Sequence, residues 1–347
     1  MNDRTRLVAT APVRIADIGG WTDTWYAQHG RVCHIAVEPG AVVTLDWIDC
    51  SVAAPPEAAC IVRLIVDTDT FEFVPGNGPG AHPLLEAAIA ELPPPAAVQL
   101  HVGAAVPPGS GLGTSAAVVV AVLAVLHAAR GESVDPHSIA AHAHRIETGL
   151  GWETGVQDQW AAAFGGIGDL DVRYPAATRQ PVAVSASTQQ QLQERLVTVY
   201  LGHPHASSDT HKTVISHLGD VGDGSPFGTM RACAGAAVAA LVDGDLLVYG
   251  ASMIAATEAM RAIDAPLVSP TADRLIHIAR AHHAVGWKVN GAGGDGGTIT
   301  VLGSPDANER ARMCAALDAA CDGHVIAHTI AVAGVQVRRE PDRSDLD

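Results

Sequence analysis

The chain of 347 residues carries 21 lysines and arginines against 37 aspartates and glutamates, which gives a formal net charge of −16 at neutral pH. This charge argues against a general binder of nucleic acid or anionic membranes, because a polyanion would be repelled unless a basic patch intervened. With 48% hydrophobic and 17% charged residues, the chain can bury a large core, which excludes disorder as its main state. We therefore expect a protein that acts on small molecules, and its length predicts two domains.

The longest uninterrupted apolar segment, residues 116–126, is too short to span a bilayer, and no apolar stretch typical of a secretory signal precedes Pro12. The cysteines show no C-x-x-C spacing, so we expect reduced thiols rather than a disulfide framework. These features predict a cytoplasmic protein with no nucleic-acid or membrane partner, and they leave a homodimer open.

Histidines are numerous, at 17, and raise the question of a transition-metal site. His142 and His144 lie two positions apart on a predicted helix, so their side chains diverge and cannot share an ion. His203 and His205 lie in a predicted loop, where a metal site stays open.

Apolar stretches bounded by glycine and proline predict the secondary structure in chain order. In the first half, strands are predicted at 8–20, 31–48 and 97–103, and helices at 83–92, 116–129, 136–148 and 156–164. Asp135 is the predicted N-cap of the helix at 136–148, with Pro136 at its first position. The stretch 175–191, rich in Pro, Ala, Thr and Gln, is the predicted domain boundary.

Beyond this boundary, strands are predicted at 196–201, 298–302 and 325–337, and helices at 229–243, 244–262, 270–285 and 305–321. Residues 340–347 are a predicted disordered tail. Strands and helices interleave without a regular βαβ alternation, which indicates an α+β fold.

A glycine-rich turn connects the strand at 97–103 to the helix at 116–129, and it consists of Pro108, Gly109, Ser110, Gly111, Leu112, Gly113, Thr114 and Ser115. Glycine lets backbone N–H groups approach an anion, and the following helix N-terminus adds partial positive charge, so the turn is suited to phosphate. It is not a Walker A loop, because no lysine precedes the hydroxyl residues. It is not a dinucleotide fingerprint, because the glycine spacing is wrong and no acidic residue follows about twenty positions later. Taken alone, the turn could equally be an ordinary tight turn.

Three segments together resemble the motifs of the GHMP kinases, the superfamily of galactokinase, homoserine kinase, mevalonate kinase and phosphomevalonate kinase. The segment 11–24 (APVRIADIGGWTDT) is similar to the first motif, 107–117 (PPGSGLGTSAA) to the second and 288–297 (KVNGAGGDGG) to the third. The resemblance implies a two-domain GHMP kinase fold of α+β class with the active site in the cleft. The expected N-terminal domain, 1–175, is ribosomal protein S5 domain 2-like, and the expected C-terminal domain, 190–339, is ferredoxin-like.

The resemblance also implies cofactors and roles for individual residues. ATP and Mg²⁺ are the expected cofactors, with residues 108–115 binding ATP. Ser115 and Glu147 are the expected metal ligands. Ser115 can offer its hydroxyl oxygen from the start of the helix. Glu147 is assigned because mevalonate kinase-like members have the same number of residues between a metal-ligand glutamate and a catalytic aspartate as separate Glu147 and Asp158 here. Asp158 is then the expected catalytic base, and Arg14 the residue that neutralises charge on the nucleophile or phosphate.

The acceptor is expected to be a small-molecule sugar or sugar phosphate. The run 155–166 (GVQDQWAAAFGG) is similar to a signature of heptose-phosphate kinases, and 19–23 (GGWTD) resembles fucokinases. The first choice is D-glycero-D-manno-heptose 7-phosphate, converted to the 1,7-bisphosphate, and the alternatives are L-fucose or another sugar or cyclitol, with or without a phosphate. A non-catalytic sensor of ATP and sugar is the alternative of another class. The expected substrate-binding residues are Trp21, Thr22, Asp23, Asp158, His205, Gly293 and Gly294.

The sequence departs from the family pattern at two positions, His205 and Asp295. His205 stands where the heptose-phosphate and fucose kinases tend to carry an arginine, which puts a distal phosphate on the sugar in doubt. A doubly anionic acceptor would have to rely on Arg14, His205, Lys212 or Arg231. Asp295 replaces a frequent glycine in the third motif, and we expect it to point outward or to contact another loop.

Overall fold

The computed structural model describes residues 5–48, 60–133, 135–204, 207–320 and 323–340. His205, the predicted substrate-binding residue, lies outside the described residues, as do residues 341–347 of the predicted tail. The described strands are β1 (Arg6–Ile18), β2 (His29–Trp47), β3 (Val62–Val66), β4 (Asp69–Phe73), β5 (Val98–Ala104), β6 (Ile167–Arg173), β7 (Ala176–Pro181), β8 (Leu196–Tyr200), β9 (Gly286–Val289), β10 (Thr298–Leu302), β11 (Val325–Ile326), β12 (Thr329–Ile330) and β13 (Gln336–Glu340). The described α-helices are α1 (Pro83–Glu91), α2 (Thr114–Ala129), α3 (Pro136–Gly149), α4 (Gln157–Phe164), α5 (Ala186–Arg195), α6 (Ser207–Ser216), α7 (Pro226–Asp243), α8 (Leu246–Ile263), α9 (Pro270–Ala281) and α10 (Ala307–Asp318).

Within the described residues the strands form two sheets, so the α+β expectation is confirmed. The larger sheet has nine strands, with the main order β13-β1-β2-β5-β3-β4, and the smaller has four, in the order β11-β8-β10-β9. On one side of β2, residues 29–35 pair with β6 and residues 41–47 pair with β5. The long strand β2 therefore joins the elements on either side of the glycine-rich turn into one sheet.

Helix α2 packs against β1 and β2 and is buried nearly all round, from Ala116 to Leu126. A helix that is apolar on every face is stable only inside a core, which explains the uninterrupted apolar segment in the sequence. Helix α3 begins as predicted, because the Asp135 side chain accepts a hydrogen bond from the Ser138 N–H and Pro136 is its first residue.

The structure adds elements that the sequence patterns did not predict, namely the hairpins β3–β4 and β6–β7, the strand β9 and the helices α5 and α6. The stretch 175–191, predicted as a boundary, contains β7 and the start of α5, whose N-cap is Ser185. Helix α5 buries Leu192 among mostly polar residues, so it carries little apolar periodicity.

The predicted strand at 325–337 is instead three short strands. β11 joins the smaller sheet, whereas β12 and β13 pair with β2 and β1 of the larger one. The end of the chain thus returns to the larger sheet, and the domain limits 1–175 and 190–339 stay a prediction.

One described helix, α8, is long and apolar enough to cross a membrane by length and composition. Half of its apolar window is buried against other elements, and the helix packs on α7 and β9. A core helix of a folded protein passes the same test, so this helix carries no argument for a membrane.

The buried side chain of Asn290, after β9, connects the two sheets. Its Oδ1 accepts from the Ala16 N–H at 3.0 Å, and its Nδ2 donates to the hydroxyls of Thr298 and Thr300 at 3.0 and 2.9 Å. Ala16 has φ +50°, in the left-handed region that non-glycine residues rarely adopt, so this hydrogen bond helps to hold a strained turn of β1.

We expect Asn290→Ala to lower the free energy of unfolding by about 3 kcal/mol, because it leaves the buried Ala16 N–H without an acceptor. Urea unfolding followed by circular dichroism measures this change. Asn308→Ala, at an exposed position of α10, is the matched control, and equal stability of both variants would contradict the role given to Asn290.

Candidate active site

Arg14 on β1 is 3% exposed and holds three parts of the chain together. Its Nε donates to Asp158 Oδ1 at 2.8 Å and its Nη2 to Asp158 Oδ2 at 3.3 Å. Its Nη1 donates to the carbonyl of Gly111, and its backbone N–H donates to the carbonyl of Leu112 at 3.0 Å. Strand β1, the glycine-rich turn and the first turn of α4 therefore meet at one guanidinium.

The glycine-rich turn has the backbone that a phosphate site requires. Gly109, Gly111 and Gly113 have φ of 68°, 72° and 74°, which favours glycine at each position. Gly113 is the N-cap of α2, where no side chain caps the helix and no acidic residue occupies the first turn. The first-turn amides thus lack a side-chain acceptor, and together with the helix dipole they favour an anion.

A cavity of about 430 Å³ opens beside this turn. The predicted residues that line it are Arg14, Trp21, Asp23, Pro108, Gly109, Ser110, Gly111, Gly113, Thr114, Ser115 and Asp158. A Cβ atom placed on Gly113 would lie 3.0 Å from Asp158 Cγ, so the carboxylate is directly against the turn. The structure thus brings together the acid and the glycine-rich turn that the sequence placed in one site.

Other predicted site residues do not line the cavity. Thr22 is fully buried, and its hydroxyl donates to the Gly19 carbonyl and accepts from the Arg31 N–H, so it stabilises the turn after β1 instead. Leu112 is a core residue. Gly293 and Gly294 pack against residue 267, whose carbonyl accepts from the Gly294 N–H at 2.9 Å.

The cavity also has lining residues that sequence reasoning did not assign. The third motif reaches it through Gly291 and Ala292, just before the predicted glycines. The others nearest the acids are Trp152, Glu153, Thr154, Gly155, Gln157 and His211, and the far rim is formed by Val66, Asp67, residues 81–85 and residues 102–104. Most of the lining residues nearest the acids lie in the glycine break after α3 or in the run 155–166, so the sequence indicated this region. No sequence pattern indicated His211.

Two further carboxylates lie near Arg14, one at the end of β1 and one in the turn after it. Asp23 is buried, and its Oδ2 accepts from the Gln157 N–H at 2.9 Å, at the start of α4. Burial raises the pKa of Asp23 to about 6, and the neighbouring Asp158 adds to the shift against the opposing Gln157 hydrogen bond. Burial also raises the pKa of Asp158, while Arg14 counteracts the shift.

Asp17 is the second of these carboxylates, and it connects β1 to the third motif. It accepts from Lys288 Nζ at 3.3 Å and from the Gly291 N–H at 3.1 Å. Burial lowers the pKa of Lys288, and Asp17 opposes that effect. Lys288 is therefore committed to Asp17 and does not line the cavity.

Glu147 on α3 is 3% exposed and lies behind the cavity wall rather than on it. Its Oε2 accepts from Gln159 at 2.6 Å and from Thr154 at 3.2 Å, while its buried Oε1 has no hydrogen-bond partner in the part of the chain that the structure describes. Burial, with Asp158 nearby, raises the pKa of Glu147 to about 8. A buried carboxylate oxygen without a partner is what a hard divalent cation would satisfy, so Glu147 fits the predicted magnesium ligand.

The hydroxyl residue Ser115, exposed at the cavity, fits the same cation as an oxygen donor. The described residues contain no cluster of three or more His, Cys, Asp or Glu that could hold a metal. His203, from the histidine pair considered in the sequence, contacts Asp295 at 3.2 Å instead. Asp295 is 78% exposed there, pointing outward and contacting another loop as expected.

Comparison with known proteins identifies this architecture. Residues 82–166 match the family model described as the GHMP kinases N terminal domain. The structure is similar to a D-glycero-D-manno-heptose 1-phosphate kinase from Bacteriodes thetaiotaomicron, with a TM-score of 0.75 and 17% identity over 96% of this chain and 99% of that one. The fold is that of the GHMP kinases.

Two further solved structures share the GHMP kinase fold with this chain. A galactokinase from Lactococcus lactis, complexed with galactose, gives a TM-score of 0.70 at 14% identity and covers 95% of each chain. A mevalonate kinase from Methanococcus jannaschii gives 0.70 at 13% identity over 95% of this chain and 99% of that one. No curated protein sequence matches the chain significantly.

The raised pKa of Asp23 predicts a pH-dependent stability. Between about pH 4 and pH 6 the folded chain keeps a proton that the unfolded chain has released, so the free energy of unfolding falls as the pH rises through this window. Asp23→Asn removes the ionisation and keeps an acceptor for the Gln157 N–H. We expect the stability of the variant relative to the original chain to rise by about 2 kcal/mol from pH 4 to pH 7.

Urea unfolding of both chains at a series of pH values measures this difference. A stability difference that does not change with pH would contradict the assignment of a raised pKa to Asp23.

Proposed function

We propose that this protein is an ATP- and Mg²⁺-dependent kinase that phosphorylates the anomeric hydroxyl of a sugar. The observation that carries the proposal is the Asp158 carboxylate, held by Arg14 and lying directly against an uncapped, glycine-rich helix N-terminus in one cavity. A phosphate site and a carboxylate acceptor for a proton are the two parts that phosphoryl transfer to an alcohol needs in close proximity.

In this proposal each group of residues has its own role in the reaction. The first-turn amides of α2 and the residues 108–115 bind the phosphates, and Ser115 and Glu147 hold the magnesium ion. Asp158 accepts the proton of the sugar hydroxyl through its carboxylate oxygens, and its raised pKa favours that role. Arg14 orients Asp158 and offsets negative charge beside it. Bound ATP supplies the transferable phosphoryl group, and the ion offsets its charge.

Two kinds of evidence support a sugar as the acceptor. They are the similarity of the chain to known sugar kinases and the residues that line the cavity. The run 155–166 and the segment 19–23 resemble heptose-phosphate kinases and fucokinases, and two of the similar structures are a heptose 1-phosphate kinase and a galactokinase. Trp21 and Asp23 line the cavity next to Asp158, which supports a site for a polyhydroxylated ligand. D-glycero-D-manno-heptose 7-phosphate is the acceptor that the sequence similarity favours, with L-fucose and related sugars or cyclitols as alternatives.

Asp158→Asn keeps an oxygen for Arg14 and removes the proton acceptor. We expect it to lower kcat by roughly 1000-fold with the KM for ATP little changed. ADP release with Mg²⁺, ATP and a panel of sugars measures both constants, and Asp171→Asn, at an exposed position of β6, is the control. An undiminished kcat in Asp158→Asn would remove this residue from the mechanism.

Glu147→Gln tests the metal site separately. Because glutamine is a neutral isostere, the variant should fold as stably as the original chain, yet the Mg²⁺ concentration for half-maximal rate should rise about tenfold or more. Thermal unfolding and a Mg²⁺ titration of the rate measure the two effects. An unaltered Mg²⁺ requirement would exclude Glu147 as a ligand.

A further inference from the structure

One end of the cavity is formed by residues around the start of α4, which we call the acceptor patch: Trp21, Asp23, Trp152, Glu153, Gln157 and His211. Two pairs of its members are in direct contact. Gln157 precedes Asp158 and donates its N–H to Asp23, and the rings of Trp21 and His211 stack with centroids 4.5 Å apart. His211 is fixed in turn by the Tyr26 hydroxyl, which lies 2.6 Å from its Nδ1.

The charges around the acceptor patch are mainly negative. Asp23, Glu153 and Asp158 line the cavity, and among its described lining residues Arg14 is the one with a permanently cationic side chain. That guanidinium already makes two hydrogen bonds to Asp158 and one to the Gly111 carbonyl. A phosphate on the acceptor would thus face carboxylates, with a single cation that is already engaged.

Two further basic residues considered from the sequence, Lys212 and Arg231, do not change this balance, and His205 lies outside the described residues. Lys212 is on the surface, with its side chain 62% exposed beside Asp209. Arg231 donates to the carbonyls of Val221 and His29, away from the cavity. Neither residue lines the cavity, so neither is in place to pair with a phosphate on the acceptor.

The acceptor patch instead offers neutral hydrogen-bonding groups without partners. The indole Nε1 of Trp21 and the amide Oε1 of Gln157 are buried atoms of cavity-lining residues, and neither has a hydrogen-bond partner among the described residues. The Gln157 amide nitrogen lies 3.4 Å from Asp17 Oδ2, which leaves its oxygen as the acceptor. Buried polar atoms are costly when unpaired, so a ligand that supplies both a donor and an acceptor is favoured here. A sugar hydroxyl is such a group, and the half-exposed ring of Trp152 can cover an apolar sugar face.

Resting on the proposed sugar kinase activity, we propose that the acceptor is an uncharged sugar, bound by the Trp21 indole N–H, the Gln157 carbonyl oxygen and the carboxylates of the acceptor patch, and that sugars already carrying a phosphate are rejected. The sugar would then be the heptose itself or a deoxyhexose rather than the heptose 7-phosphate. The reaction that supplies the substrate must accordingly deliver a free sugar, and the reaction that consumes the product must accept a sugar monophosphate.

Matched pairs of acceptors test the proposal on the full chain: D-glycero-D-manno-heptose against its 7-phosphate, and D-mannose against its 6-phosphate, with L-fucose as a further free sugar. We expect kcat/KM from ADP release to be at least tenfold higher for the free member of a pair. A phosphorylated member used as well or better would overturn this inference and leave the sugar kinase proposal intact.

Absence of sugar-dependent ADP release with every acceptor would instead count against the proposed function. Calorimetric titration of the same pairs then decides the inference without turnover. Tighter binding of the free sugar would support it, and equal or tighter binding of the phosphorylated sugar would overturn it.

Two variants test the named groups. Trp21→Phe removes the indole N–H and keeps a ring, and Gln157→Leu removes the amide. Each should raise the KM for the free sugar about tenfold while the KM for ATP stays unchanged, whereas Gln190→Leu, on the exposed face of α5, should change neither. An unchanged sugar KM in both variants, with thermal unfolding showing folded protein, would exclude these two groups as acceptor contacts.

Discussion

The candidate site depends on the ion pair between Arg14, which is buried, and Asp158, which is partly buried. Burying either charge alone would be costly, and the bidentate geometry with the added Gly111 carbonyl offsets that cost. Because Arg14 belongs to β1, Gly111 to the glycine-rich turn and Asp158 to α4, this pair fixes the distance between the turn and the acid. Any change that moves one of the three elements moves the carboxylate relative to the phosphate site.

Around this pair, buried carboxylates exceed buried cations. Three carboxylates, Asp17, Asp23 and Glu147, are buried and Asp158 is partly buried, against the two buried cations Arg14 and Lys288. The raised pKa values of Asp23 and Glu147 reflect the energetic cost. Such an excess is relieved either by proton uptake or by a bound cation. The proposed magnesium ion would therefore stabilise the site that it serves, and the same excess disfavours a second anion on the acceptor.

The smaller sheet supports the site from the opposite side. Lys288 and Asn290 reach β1, and the Thr298 hydroxyl donates to the Ser110 carbonyl at 2.8 Å, so the glycine-rich turn is held by both sheets. The three motifs, which lie far apart in the sequence, therefore meet around one cavity. Each contributes one wall or one support, and none of them forms a site alone.

Several local features of the protein follow from short stretches of its sequence. Glycines at 109, 111 and 113 permit the positive φ that the turn adopts, the apolar run 116–126 favours a buried helix, and Asp135 with Pro136 defines a helix start. These features depend on neighbouring residues, so they could be predicted, and the GHMP kinase resemblance followed from three such segments. Arg14, Asp158 and the turn were expected to lie together, and they line one cavity.

Contacts between distant parts of the chain set which of these residues face the cavity and which support it. Thr22, Gly293 and Gly294 lie in the right motifs, yet their contacts are with the turn after β1 and with residue 267. Gln157 and His211 line the cavity because α4 and α6 pack where they do, and β12 and β13 return to the larger sheet. Such placements follow from contacts between residues far apart in the chain, and the energy of those contacts is not encoded in any local pattern.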